Sequence, residues 1–306
     1  MKSFRLLSLL LFLFLVGCDR DQDILLNVAP TADAGTPKAI TLPTNTVTLT
    51  GTGTDSDGTI LAYVWSQVSG PASTVIVNPG SPSTAVNGFI QGTYVFQLGV
   101  TDDDGATGFD TVSVSVAQAP QQTITLQPTN NPFERHLLGN ATLDQSTHAT
   151  ELTAATWTMG GQTVYVRGAF GFDLSTIPSN STIVSARLTL YSNPTPSTGS
   201  LTVPNEGPAN AMLIRRITNN WVPSSTYWLN QPPTTATDQV VIPHTSLPSL
   251  DLVDVDVKNM VATMVSSGNY GFMIQLQNEV IYNMRNFCSS THAQTAKHPK
   301  LVVVYR

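Results

Sequence analysis

Thr163-Val164-Tyr165-Val166-Arg167-Gly168-Ala169-Phe170-Gly171-Phe172 alternates apolar and polar side chains, and that period of two is the signature of a half-buried β-strand. Val164, Val166, Phe170 and Phe172 share one face. Arg167 alternates to the other, so it leaves the core beside Tyr165. The same period recurs at Thr182 to Tyr191, where Val184, Ala186, Leu188 and Leu190 are expected to point inward, and at Ala211–Ile217, Tyr270–Gln277 and Lys300–Tyr305. One stretch departs from it. Val257, Met260, Val261 and Met264 fall at helical spacing, with Asp256 placed as a cap.

Nearer the N-terminus the alternation continues, broken by Gly, Pro and Asp. In Leu61-Ala62-Tyr63-Val64-Trp65-Ser66-Gln67-Val68, Tyr63 and Trp65 face away from Ala62, Val64, Ser66 and Val68. Asp55-Ser56-Asp57-Gly58 and Asp102-Asp103-Asp104-Gly105 are turn signals. About seven short strands in some ninety residues is the pattern of an immunoglobulin-like sandwich. The reading is therefore all-β, two β-sandwiches in series: a tether at 18–26, an Ig-like module at 27–117, a linker at 118–122 around Pro120-Gln121-Gln122, and a longer jelly-roll module at 123–306. Composition agrees, since only 11% of the 306 residues are charged against 41% hydrophobic, poor material for long surface helices.

Residues 1–17 read as a targeting segment. A basic Lys2 and Arg5 precede an apolar run from Leu6 to Val16, too short to span a bilayer. Leu15-Val16-Gly17-Cys18 and the abrupt polar switch after it resemble the lipobox of bacterial lipoprotein precursors. The resemblance implies that Cys18 carries lipid, which anchors the protein in the cell envelope, at the outer membrane or cell surface. Cys288 is then without a disulfide partner and reads as a small packed hydrophobe.

Ala32-Asp33-Ala34-Gly35, Tyr63-Val64-Trp65-Ser66-Gln67-Val68-Ser69-Gly70-Pro71, Gly92-Thr93-Tyr94-Val95-Phe96 and Val100-Thr101-Asp102-Asp103-Asp104-Gly105 resemble a polycystic-kidney-disease (PKD) domain. Trp65-Ser66-Gln67 departs from the commoner Trp-Asp/Asn-Phe-Gly-Asp-Gly. The resemblance implies a spacer or adhesion module. Phe172-Asp173-Leu174-Ser175-Thr176-Ile177-Pro178, Arg216-Ile217-Thr218 with Trp221, Tyr227-Trp228-Leu229-Asn230-Gln231-Pro232-Pro233, Asn269-Tyr270-Gly271-Phe272 and His298-Pro299-Lys300-Leu301 resemble the DNRLRE family. Lys258 and Cys288 depart from its usual pattern. That resemblance implies a jelly roll, some members being similar to carbohydrate-binding modules for acidic polysaccharides.

Charge is uneven. Ten acids face two bases between residues 19 and 122, and ten face ten from 123 onward. No basic stripe with interleaved aromatics suggests nucleic acid. No nucleophile elbow, phosphate loop or zinc motif is present. Asp251, Asp254 and Asp256 read as a solvated face, and the five histidines as scattered surface residues. Asp55, Asp57, Asp102 and Asp104 are candidate calcium ligands, although Asp-Gly turns occur without metal. No other cofactor is indicated.

Sugar recognition asks for flat aromatic faces and forked donors. The candidates are Arg135, His136, Trp157, Tyr165, Arg167, Trp228 and Arg285. Trp221 and Trp228 lie within the resemblance motif, where core packing is the plainer reading. Arg215 and Arg216 are opposite in phase, so one of the two is expected to turn inward toward an acid such as Asp173. Three functions stay open: binding of carbohydrate, acidic polysaccharide foremost, without catalysis; a structural or adhesive protein that binds other proteins or matrix; and a polysaccharide lyase or glycosidase.

Overall fold

In a computed structural model, which describes residues 26–147 and 150–306, the chain forms two compact units with the break between Ala119 and Pro120. Cys18 and His148 lie outside the described residues.

The first unit packs a four-stranded sheet on a three-stranded one. The former has the order Lys38–Thr41, Thr107–Ala117, Gly92–Asp102, Ile60–Ser69, with only the first pair parallel. The latter runs Thr46–Thr50, Ser83–Asn87, Val75–Ile76. Leu49 and Val86 from the smaller sheet meet Trp65, Tyr94, Phe96 and Leu98 from the larger. Trp65 is buried and Val64 and Val68 are exposed, so the Tyr63/Trp65 face is the inner one. Gly51 makes room for that ring, because a Cβ there would lie 3.0 Å from the Trp65 indole.

The second unit is a β-sandwich whose larger sheet is built around one hairpin. Its strands, Glu151–Met159 and Gln162–Phe170, pair with each other from Ala155 to Val166 and then separate. The first half of Glu151–Met159 pairs with Asn283–Cys288. The second half of Gln162–Phe170 lies between Glu134–Gly139 on one edge and Phe272–Leu276 on the other, and Met212–Ile217 and Thr234–Ile242 extend that sheet. A separate four-stranded sheet, Gln122–Leu126, Lys300–Tyr305, Ile183–Leu190, Leu252–Asp256, supplies Ala186, Leu188, Leu301 and Val303 to a shared core with Phe170, Met212, Ile214, Phe272 and Ile274.

Two local readings are corrected here. A register shift between Ile183 and Ser185 turns Ile183 inward in place of Val184. The helix spans Lys258–Ser267, and its N-cap is Val257; Asp256, one residue earlier, accepts the Lys258 N–H at 3.0 Å. Its buried face is Met260, Val261 and Met264.

Candidate functional site

Alternation in Gln162–Phe170 turns Tyr165 and Arg167 outward, as their spacing requires, but the outer face of this sheet is not bare. Leu137, Ala169 and Met273 form an apolar patch on it, roofed by the loop between Ile217 and Thr234. Trp221 is buried in that roof and donates its Nε1–H to the Tyr270 carbonyl at 2.8 Å. Trp228 lies over Gly139, which pairs with Tyr165 across the sheet; a Cβ at Gly139 would sit 2.5 Å from Trp228 Cγ.

Over this foundation three side chains converge. The rings of Tyr165 and Trp228 stack with centroids 5.8 Å apart and planes 13° from parallel. The Arg167 guanidinium lies 4.8 Å from the Trp228 ring centroid, a cation–π contact. Arg167 donates from Nε and Nη2 to Glu279 Oε1 at 2.9 and 2.7 Å, and from Nη1 to Gln231 Oε1 at 2.9 Å. Gln231 in turn donates to the Trp228 carbonyl, and Asp144 accepts the Leu229 N–H. The loop is thus tied at the peptide unit that follows the tryptophan. Arg167 and Glu279 keep 21% and 25% of their side-chain surface accessible, so a solvent-borne ligand can reach the pair. Glu279 and Gln231 were not among the sequence candidates; their role depends on long-range contacts, across |i−j| of 112 and 64, that periodicity does not encode.

Arg135 shares the outer face but is a scaffold group, donating to the carbonyls of Pro223 at 2.6 Å and Glu134 at 2.7 Å. Trp157 is not in this group. It packs beside Ala155, Val166 and Met284 and meets Tyr282 edge-on at 5.3 Å. Tyr282 is half exposed and holds a left-handed backbone, φ 63°.

Two candidates are corrected. Arg285 is fully buried: it shares a face with Ala154, lies 5.8 Å from the Phe287 ring, and finds one partner, the Pro243 carbonyl. Burial brings its pKa down to about 10. His136 is likewise buried, and its Nε2 has no hydrogen-bond partner among the described residues. Burial lowers its pKa, opposed by the charge of Glu151. Neither can meet a glycan. The expectation of surface histidines fails more widely, because His292 and His298 are also buried; His244 is exposed. Among the described residues neither Arg215 nor Arg216 forms an ion pair with Asp173, which accepts the Ser175 N–H instead, while Arg215 donates to Gln239.

The calcium expectation is corrected too. Asp102 is buried and its carboxylate accepts from the N–H groups of Asp104 and Ala106 and from Asn27 Nδ2. Asp57 accepts the Val28 N–H, and Asp55 accepts the Asp57 N–H. The acids hold turns. Among the described residues no three His, Cys, Asp or Glu side chains are grouped to hold a metal ion, Asp104 included.

Comparison with known families fits this layout. The model of the PKD domain of the K319L-like type matches residues 34–116, and that of carbohydrate-binding module family 96 matches residues 148–305. The chain belongs to carbohydrate-binding module family 96. Both modules are of non-catalytic kinds, and the second is by family a carbohydrate-binding module. Among curated relatives, the mouse dyslexia-associated protein KIAA0319-like protein is 32% identical over 126 residues, 41% of this chain and 11% of that protein. Human low-density lipoprotein receptor-related protein 11 is 36% identical over 94 residues, 31% of this chain and 19% of that protein. The chain thus spans a small part of these relatives. Among solved structures, the PKD domain from human KIAA0319 is similar at 26% identity, covering 34% of this chain and 95% of that one, with a TM-score of 0.28. A Bacteroides ovatus mixed-linkage glucan utilization protein, SGBP-B, solved with a mixed-linkage heptasaccharide, is 13% identical, covering 91% and 100%, with a TM-score of 0.22.

Proposed function

We propose that the family 96 module holds an acidic polysaccharide on the Tyr165–Arg167–Trp228 platform and leaves its bonds intact. The observation that carries this reading is the accessible guanidinium stacked on Trp228 and aligned by Glu279 and Gln231. A partly exposed ion pair is worth only about 0.2–1 kcal/mol, so a sugar carboxylate can take the place of Glu279 at little cost. The forked guanidinium then grips that carboxylate with two parallel N–H···O bonds. The aromatic pair supplies an apolar surface for a pyranose ring. Glycosidic cleavage by the usual route asks for two carboxyls flanking the bond. Of the two side chains that bond Arg167, Glu279 and Gln231, one is a carboxylate.

Glu279 also favours a second reading, a neutral glycan, because it offsets the charge of Arg167 and accepts hydroxyl donors. Titration of the purified chain with a polyuronate and with a neutral glucan separates the two. The first reading expects binding to the polyuronate that weakens with salt and is lost in Arg167→Ala; salt-independent binding to the glucan alone would favour the second.

The same proposal places the module at the cell envelope, outer membrane or surface, tethered through lipid on Cys18, with the PKD module as spacer. The support is the lipobox-like Leu15-Val16-Gly17-Cys18 followed by Asp19. Metabolic labelling with a radiolabelled fatty acid should mark the wild-type chain and not Cys18→Ser. Equal labelling of both would reject the anchor.

A further inference from the structure

A second recess opens at one end of the family 96 module, where two loops, 128–133 and 171–177, meet the end of the helix and the turn after it, 264–271. It encloses about 730 Å³, within the size range of small-molecule sites. Phe133, Phe172, Leu174, Ile177, Met264 and Tyr270 form most of its wall. Four of these, Phe172, Leu174, Ile177 and Met264, belong to the main core, so the recess is a mouth of that core. Phe133 stands on the rim, 53% exposed.

The walls are built in advance by side chains that bond backbone. Asn131 donates from Nδ2 to the Gly171 carbonyl and accepts the Phe133 N–H through Oδ1 at 3.0 Å. Asn269 donates to the Phe172 carbonyl at 2.6 Å and accepts the Gly271 N–H. Gly271 has φ +87°, and a Cβ on it would strike the Phe170 carbonyl, so the two loops pass closer than any other residue there allows. Tyr270 is held through Trp221. A wall so fixed loses little entropy when a ligand enters.

Its polarity is one-sided. Asp173 is the single charged residue in the lining. The Ser175 hydroxyl, and then the Ser175 N–H, hold the Asp173 carboxyl below the usual carboxylate range, so it is anionic at neutral pH. This is the reverse of the Arg167 platform. Both stand on one base, since Trp228 and Tyr270 pack against the same cluster around Leu137 and Met273.

We infer that this recess is a second ligand site, for a small molecule with an apolar body and a cationic end, seated among Phe133, Phe172 and Tyr270 with its charge at Asp173. The inference does not rest on the glycan reading. It is tested on the purified chain with three probes of one shape: phenethylammonium, 2-phenylethanol and phenylacetate, followed by protein-observed NMR. The expected order of affinity is ammonium, then alcohol, then carboxylate. An exposed charge pair is worth up to about a fivefold preference for the ammonium over the alcohol. Asp173→Asn, a change at an exposed residue, should collapse that preference while the alcohol still binds, and Ile177→Trp should exclude all three. Arg167→Ala should change none of it. Three probes of equal affinity, an order that survives in Asp173→Asn, or shifts confined to residues outside the recess would overturn the assignment.

Discussion

Arg167 and Arg285 sit on strands of the same module and were both sequence candidates, the first by strand phase and the second by residue type, yet one is aligned at a surface and the other is entombed. Gln162–Phe170 buries one face and leaves Tyr165 and Arg167 half open. Every residue of Asn283–Cys288 is buried, because this strand lies between Glu151–Met159 and the short Asn205–Glu206 strand, with apolar packing on both of its faces. Alternation tells which side chains share a face. It does not tell whether that face meets water.

The contrast can be broken or sharpened by substitution. The largest effect is expected from Glu151, which is buried and whose Oε2 accepts from Asn193 Nδ2, the Ser197 N–H and Asn286 Nδ2. Glu151→Leu orphans three donors and should cost on the order of 3 kcal/mol or more in chemical denaturation. A loss under about 1 kcal/mol would mean the network around this strand does not hold it. Next, Arg167→Ala should weaken polyuronate binding at least tenfold, about 1.4 kcal/mol. Its unfolding free energy should move by less than about 1 kcal/mol, as for an exposed pair. Equal losses in both measurements would make Arg167 structural.

A pH effect comes third. Burial holds the His136 pKa below 6.5, so the folded state binds its proton less tightly than the unfolded chain. The associated stability is complete above pH 6.5 and is lost as pH falls from there toward the folded-state value. Glu134 runs the other way: burial raises its pKa above 4.5, so its contribution declines as pH rises from 4.5 through the folded-state value. His136→Gln should flatten the loss of stability between pH 6.5 and 5, read from thermal midpoints; an unchanged slope would place the titrating group elsewhere. The smallest effect is expected from Arg285→Met. Replacing a buried, poorly paired charge with an apolar chain of similar length is often neutral or stabilising. Stability should hold or rise by about 1 kcal/mol, with glycan binding unaltered. Weaker binding would return Arg285 to the site.

The strands that carry the fold were legible where their faces differ: Val164 and Val166, and Leu301 and Val303, are buried with half-buried residues between them, and Trp65 is buried between exposed neighbours. Val184 was misread because a bulge shifts the phase without any mark in Thr182-Ile183-Val184-Ser185. Of the site, Tyr165, Arg167 and Trp228 could be named from residue type and phase. Glu279 and Gln231 could not, since they are ordinary polar residues brought to Arg167 by loop closure. His136 and Arg285 were over-read for the converse reason. A charged or aromatic residue in a strand looks like a surface group until the second layer that covers it is known. The Asp-rich turns were similarly ambiguous, since a carboxylate that accepts backbone N–H groups and one that holds calcium share the same local sequence.

The most direct measurement is isothermal titration of a polyuronate into the wild-type chain and the Arg167→Ala and Trp228→Ala variants, with each fold checked by circular dichroism. Saturable binding in the wild type, lost in both folded variants, is the expected result. Folded variants that bind the polyuronate as tightly as the wild type would contradict the platform.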